Sequence, residues 1–459
     1  WVPHCATHEM TLAADEAVRL HLPGEIFTAL TRFWNETKFC SHAFAAMRVL
    51  AGGERANNIG VAAESQRQLQ QPSTGFDAFV GAMDGNSRSE ACMYNACEAI
   101  ARLAEERPMN RDYMVRRGCV QAIVNALDML PTSVPVVVAA ARALRTLSAG
   151  RSARKPDPYT AQLMRVARAF PSLVAGMTMT REANPPVGFR AGFRAMAQLA
   201  RDRKNRMSLG NSGAIGLVVS GMDVVLELND LEAQIEGLRS VQTLVLACEK
   251  NRKAFLLKGG AGSVIRSMSA WSQDSITCTF EACRAFCSVI GMKAGRLYGG
   301  EEADEADEAM VLFTMRTEED DDGVFVVDKA SGKLMSKAEL ERIQKRDEDD
   351  GNVDQENARG IAAVDYFTIA AFLRVLVPAL EDCTVSEVVQ ADGLRVLAGI
   401  VGSGDYRYPP LGCELDAARN VRNGMSQHMP QSERTCYEGV RSLGFLAMSE
   451  EFCGDDDDE

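Results

Sequence analysis

The sequence predicts an all-α chain folded as a solenoid of about eight three-helix repeats, interrupted by an acidic insertion. Two recurring phrases and their spacing carry this reading. The first is an Asn-Arg pair followed, eight residues after the Asn, by a glycine: NRDYMVRRGCVQAIV at 110–124, NRMSLGNSGAIGLVV at 205–219 and NRKAFLLKGGAGSVI at 251–265. The second runs small, apolar, Arg, small, apolar, two variable positions, apolar. It occurs as AARALRTL (140–147), GFRAMAQL (192–199), GLRSVQTL (237–244), ACRAFCSV (282–289), GLRVLAGI (393–400) and GVRSLGFL (439–446). AFAAMRVL (43–50) and ACEAIARL (96–103) fit without the Arg. The starts are separated by 53, 44, 52, 45, 45, 111 and 46 residues. A period near 45 made of helix-length pieces is the mark of an α-solenoid. The gap of 111 is either one period plus about 66 extra residues or two periods with one degraded.

Each element of the unit has a local cause. Asn accepts a backbone N–H at a helix start, so the Asn-Arg pair is expected to open a short first helix. Gly118, Gly213 and Gly259 are expected to end it in the left-handed conformation and turn the chain into an apolar second helix. The Arg-bearing phrase forms the third, with apolar positions such as Leu144 and Leu244 buried by the repeat. The glycine cluster at 259–262 is no phosphate cradle. No Gly-Lys-Ser or Gly-Lys-Thr follows it, and Ala254, Phe255, Leu256 and Leu257 are too few for a preceding strand.

The pattern breaks in the middle. EEADEADEAM (301–310), EEDDDG (318–323) and RDEDDGNVDQEN (346–357) lack the apolar surface needed to fold alone. Between them VFVVDKASGKLMS (324–336) reads as a hairpin turning at Ala330-Ser331-Gly332, and Ser336 with Glu339 as a capping box for a short helix. The chain therefore divides into repeats over 1–290, a largely flexible insertion over 291–360, repeats over 361–453 and an acidic tail over 454–459.

A short first helix, a glycine turn, an apolar second helix and an A-x-x-A-L-x-x-L-A third helix resemble armadillo repeats, over most of the chain. The resemblance implies a right-handed superhelix whose third helices line a concave groove. On that pattern Arg142, Arg194, Arg239, Arg284, Arg395 and Arg441 occupy a groove-lining position. In importin-alpha-like proteins this position carries Trp, with Asn four residues on. Here the second position holds Thr146, Gln198, Thr243, Ser288, Gly399 and Phe445, so the clamp for basic nuclear signals is missing. Beta-catenin-like proteins hold extended acidic partners in a basic groove, and the arginine ladder resembles that arrangement. The competing role for each Arg is an ion pair with a carboxylate of the adjacent repeat, and Glu98 stands where the second phrase would carry Arg.

Aromatics make up 6% of the 459 residues and hydrophobics 46%, which suits helices packed through small side chains. No apolar run reaches membrane-spanning length; 134–149 comes nearest, and Pro135 and Arg142 interrupt it. Thirteen scattered cysteines point to reduced, buried thiols and a cytoplasmic or other reducing compartment. Because the sequence opens at Trp1, an organellar leader remains compatible with it. His4, Cys5 and His8 are the best metal candidates but lack a further ligand cluster. The five histidines form no catalytic motif, and the acidic pairs sit in solvated runs, so no enzyme, cofactor or metal is expected. A net charge of −13 opposes nucleic acid. Two function classes follow: an adaptor whose Arg-lined groove holds an extended acidic segment of a protein partner, or a permanent subunit of a cytoskeletal, axonemal or organellar assembly.

Overall fold

The structure, a computed structural model, describes residues 18–19, 21–51, 75–105, 107–149, 157–183, 185–290, 325–327, 334–336, 364–403, 407–428 and 432–447. Within them the chain is helical apart from one small hairpin. The helices are α1 (Leu22–Arg32), α2 (Thr37–Leu50), α3 (Phe76–Gly85) and α4 (Glu90–Ala104), followed by four complete triplets. These are α5 (Pro108–Arg116), α6 (Cys119–Met129), α7 (Val134–Ser148); α8 (Pro158–Val166), α9 (Ala169–Thr180), α10 (Pro185–Leu199); α11 (Arg203–Asn211), α12 (Ala214–Glu227), α13 (Leu231–Val245); and α14 (Glu249–Leu257), α15 (Gly260–Trp271), α16 (Ile276–Val289). Beyond the hairpin come α17 (Tyr366–Asp382) and α18 (Glu387–Val401), then a last triplet of α19 (Tyr408–Glu414), α20 (Ala417–His428) and α21 (Glu433–Ala447). Eight third helices are thus present among the described residues, each carrying one copy of the second phrase. This is an all-α solenoid.

Packing divides the chain into two compact units, residues 1–263 and 264–459. In the first, third helices stack in sequence order: α2 on α4, α4 on α7, α7 on α10, α10 on α13. In the second, α16 packs directly on α18, and α18 on α21. The Phe286 and Phe372 rings stack at 3.5 Å, so no further repeat lies between α16 and α18. The 111-residue gap is one period plus an insertion.

The phrase explains the packing. Its apolar positions Leu144, Met196, Leu244 and Leu397 are buried. Its first, small position is where the second helix of the repeat comes closest. A Cβ on Gly192 would lie 1.9 Å from Met177 Cε, and one on Gly393 2.4 Å from Leu380 Cδ2. The third helices start on side-chain caps: Ser89, Ser133, Asp230, Ser275 and Ser386 each accept a backbone N–H three residues on.

Gly118, Gly213 and Gly259 hold φ of 85°, 91° and 74° at the corner between first and second helix, as their spacing predicts. The same corner is left-handed at Arg168 (60°) and Asp416 (58°), where no glycine marks it.

The Asn of the Asn-Arg pair does not cap its helix. α5 starts two residues before Asn110, with Arg107 at the N-cap, and α11 is capped by Asp202, whose carboxylate accepts the N–H of Asn205 at 2.9 Å. Asn110 instead donates through Nδ2 to the Leu103 carbonyl at 3.0 Å, and Asn251 to those of Leu244 (2.8 Å) and Arg206 (3.0 Å). Arg111 donates to the Ala104 carbonyl and Arg206 to that of Ala200. The last carbonyls of a helix have no intrahelical partner. An amide donor or a cation meets them here, which clasps the repeats that open with α5, α11 and α14 to the end of the third helix before each.

β1 (Phe325–Val327) and β2 (Leu334–Ser336) pair antiparallel, Val326 opposite Met335, as the hairpin reading requires. Its turn at 330–332, the helix expected after Ser336, the acidic runs, the tail and the His4–Cys5–His8 cluster lie outside the described residues.

Candidate partner-binding face

The six phrase arginines stand one per third helix, Arg142, Arg194 and Arg239 in the first unit and Arg284, Arg395 and Arg441 in the second. None projects as a bare charge. Arg142 Nη1 meets both oxygens of Glu98 at 2.9 and 3.2 Å. Glu98 therefore takes the ladder position of one repeat to hold the Arg of the next. Arg194 bridges Glu232 (2.6 Å) and Glu236 (3.0 Å), and Arg239 returns to Glu236 at 3.1 Å. In the second unit Arg284 lies 4.0 Å from Glu281 and Arg441 3.6 Å from Glu438. Arg395 is buried beside Asp392 and Glu438 and favours the charged form of both.

These partners form a second column that phrase reading overlooked. Glu236, Glu281, Asp392 and Glu438 each precede the ladder Arg by three residues, one helical turn, in EGLR, EACR, DGLR and EGVR. The signal was present one residue upstream of the phrase as it is delimited. Two further arginines join: Arg190 reaches Asp230 at 3.0 Å and Glu232 at 2.5 Å, and Arg434 contacts Asp392.

Exposure differs sharply across the pairs made with Glu98, Glu236, Glu281 and Glu438. The guanidinium side chains of Arg142, Arg194, Arg239, Arg284 and Arg441 are 22–45% exposed, whereas Glu98, Glu236, Glu281 and Glu438 are 5–10% exposed. Cations lie outside and these four carboxylates beneath them, whereas Glu232, the second partner of Arg194, is itself 52% exposed. Burial pushes the Asp392 and Glu438 carboxyls up, against the pull of Arg434, Arg284 and Arg395 on the first and Arg441, Arg395 and Arg434 on the second. The hydroxyls four residues after the ladder Arg turn inward: Thr146, Thr243 and Ser288 donate to the carbonyls of Arg142, Arg239 and Arg284 at 3.2 Å. They leave the guanidiniums as the outward polar groups at these positions. Phe280 and Phe445 flank two of them, 5.3 Å from Arg284 and 5.8 Å from Arg441.

Eight of the ten described cysteines are buried, Cys248 and Cys436 being half-buried. Burial pushes the thiols of Cys92, Cys97, Cys278 and Cys287 up to about 12, which keeps them protonated. Among the described residues, no group of three or more His, Cys, Asp or Glu is placed to hold a metal ion, and no single helix is long and apolar enough to cross a membrane. The glycine cluster sits at the α14–α15 corner, and residues 254–257 are helix.

No family model matches the sequence, and no curated protein matches it. Among solved structures, the chain is similar to an engineered protein at a TM-score of 0.56 and 19% identity, covering 95% of this chain and 91% of that one. A structure from a study of a phosphorylation switch controlling the interaction between cadherin and beta-catenin gives 0.49 and 14%, covering 95% and 77%. The first likeness supports the fold and nothing finer.

Proposed function

We propose that the chain is a non-enzymatic, armadillo-type scaffold of a reducing compartment, and that its third-helix faces hold an extended acidic segment of a protein partner. The asymmetric exposure of the ion pairs carries this reading. Each buried carboxylate fixes its arginine from below, and the exposed edge of the guanidinium can donate to a second anion alongside its internal partners, which at Arg194 include the exposed Glu232. In the first unit three such guanidiniums, Arg142, Arg194 and Arg239, stand about one period apart in sequence, and the second unit offers Arg284 and Arg441, Arg395 being buried; this spacing suits an extended ligand more than a compact one. The partner need not break the internal pairs, since a guanidinium has five N–H donors.

The test is titration of an acidic peptide against the intact chain and against Arg239→Ala/Arg284→Ala, one substitution in each unit. Affinity should fall by about tenfold or more, and the difference should shrink with added salt. Unchanged affinity with unchanged melting temperature would refute the reading. The alternative, a permanent subunit of a large assembly, rests on Phe367, Val385, Tyr437 and Val440, large apolar groups exposed in the second unit. It takes the lead if the arginine pair is neutral and the native partner is lost on Phe367→Ser/Tyr437→Ser.

A further inference from the structure

A second face lies on the first helices. In the nine-residue helices α8, α11 and α14 the third and seventh positions face inward, as Thr160 and Met164, Asn205 and Leu209, Asn251 and Phe255 show. The second, fifth and ninth positions fall on the opposite side by helical geometry. The three helices are neighbours in the first unit: Arg165 of α8 pairs with Asp202 at the start of α11, and Lys250 of α14 donates to Asn211 of α11 at 2.7 Å.

This outward side is both basic and apolar. Val166 and Leu257 hold the ninth positions of α8 and α14 and are 73% and 88% exposed, with Met207 of α11 exposed between them in sequence. Exposed cations stand beside them: Arg168 two residues after Val166, Lys204 one turn before Met207, Lys250 on α14 and Lys258 directly after Leu257. The exposed acid on α14, Glu249, is taken by Lys253 at 2.5 Å. Such a surface is unexpected on a chain of net charge −13.

We propose that the α8–α11–α14 face docks on an anionic lipid surface, with Val166, Met207 and Leu257 entering the headgroup layer and the adjacent cations meeting lipid phosphates and carboxylates. Lysine-rich surfaces with protruding aliphatic tips fit an interface in which stems and tips enter the apolar boundary and ammonium groups stay hydrated. A protein interface core is poor in lysine. A single-stranded nucleic-acid groove interleaves its cations with aromatic platforms, and the only aromatic among the second, fifth and ninth positions of the three helices is Tyr159.

The experiment is flotation of the full chain with phosphatidylserine–phosphatidylcholine vesicles and with phosphatidylcholine vesicles alone. Two variants accompany it, Lys204→Glu/Lys250→Glu/Lys258→Glu and Val166→Ser/Leu257→Ser; all five side chains are exposed, and melting temperature verifies their folding. The intact chain should float only with the anionic vesicles. The charge variant should lower partitioning by about fivefold per cation, roughly a hundredfold in all, and the aliphatic variant by about tenfold per side chain. Three results overturn the proposal. One is no flotation with anionic vesicles. Another is flotation that neither variant reduces. The third is binding lost in the charge variant but unchanged in the aliphatic one, which marks a site for soluble polyanions.

Discussion

At the scale of single residues, the corner between first and second helix shows what a sequence discloses. Gly118, Gly213 and Gly259 are legible because glycine is the residue that reaches positive φ without a Cβ penalty. Arg168 and Asp416 occupy the same corner and are silent, because their side chains advertise no backbone conformation. An L-residue with a Cβ held left-handed costs about 1–2 kcal/mol. A Cβ at Gly118 or Gly259 meets nothing within 4 Å, so the whole penalty there is backbone. Gly118→Ala should therefore destabilise the first unit by about 1–2 kcal/mol. Arg168→Gly should stabilise it by up to about 1 kcal/mol, once the extra freedom of glycine in the unfolded chain is subtracted. Denaturant melts of the two variants check both signs, and a destabilising Arg168→Gly would mean that its side chain contributes more than its strain costs.

At the scale of the element, the Asn-Arg pair was visible as a repeated phrase but its role was not. The residue type fits an N-cap, and only the third dimension places the orphan carbonyls of the preceding helix within reach of Nδ2. Asn251 is buried and ties its own repeat to the Leu244 and Arg206 carbonyls, which belong to the third and first helices of the repeat before it. Asn251→Ala should cost about 2–3 kcal/mol, because it removes a buried amide with two hydrogen bonds and leaves the Leu244 carbonyl without that donor. Asn211→Ala, an exposed partner of Lys250, should stay within about 0.5 kcal/mol. The arginine ladder behaves alike: the Arg position was legible, while the acids one turn earlier and Arg190 and Arg434 needed contacts to be seen. Asp392 and Glu438 have raised pKa values because burial outweighs their arginines. The native state then holds these protons more tightly than the unfolded chain. Their contribution to stability is lost as pH rises from their ordinary values, 3.8 and 4.5, through the raised ones. Relative to wild type, Asp392→Asn should gain melting temperature between a pH below that window and pH 7; a pH-independent difference would show that the arginines cancel the burial cost.

At the scale of the whole molecule, the 45-residue period made the solenoid legible, since each repeat reuses the same small and apolar positions. The division into units at 263/264 was not legible, because no composition shift marks it; the divisions drawn at 290 and 361 follow charge instead. That charge is unevenly spread. Segment 301–322 holds eleven acids and one arginine, so ten of the chain's thirteen net negative charges reside there. The α16–α18 contact and the Phe286–Phe372 stack join the flanking repeats without it. Deleting 301–322 should therefore leave the melting of the second unit within about 0.5 kcal/mol of wild type. Phe286→Ala, which removes one ring of a buried stack, should cost about 3–5 kcal/mol. The same deletion should tighten binding of an acidic peptide if the charge of the segment repels that peptide, or if the segment competes for the guanidiniums at a tethered concentration of roughly millimolar. The two effects separate by salt. Long-range repulsion fades beyond a Debye length of about 8 Å at physiological ionic strength, whereas a segment seated on the guanidiniums competes at short range and resists screening longer. A deletion that tightens binding at low salt only indicates a diffuse charge effect, one that persists indicates direct occupancy, and no change at either salt removes segment 301–322 from the account of partner binding.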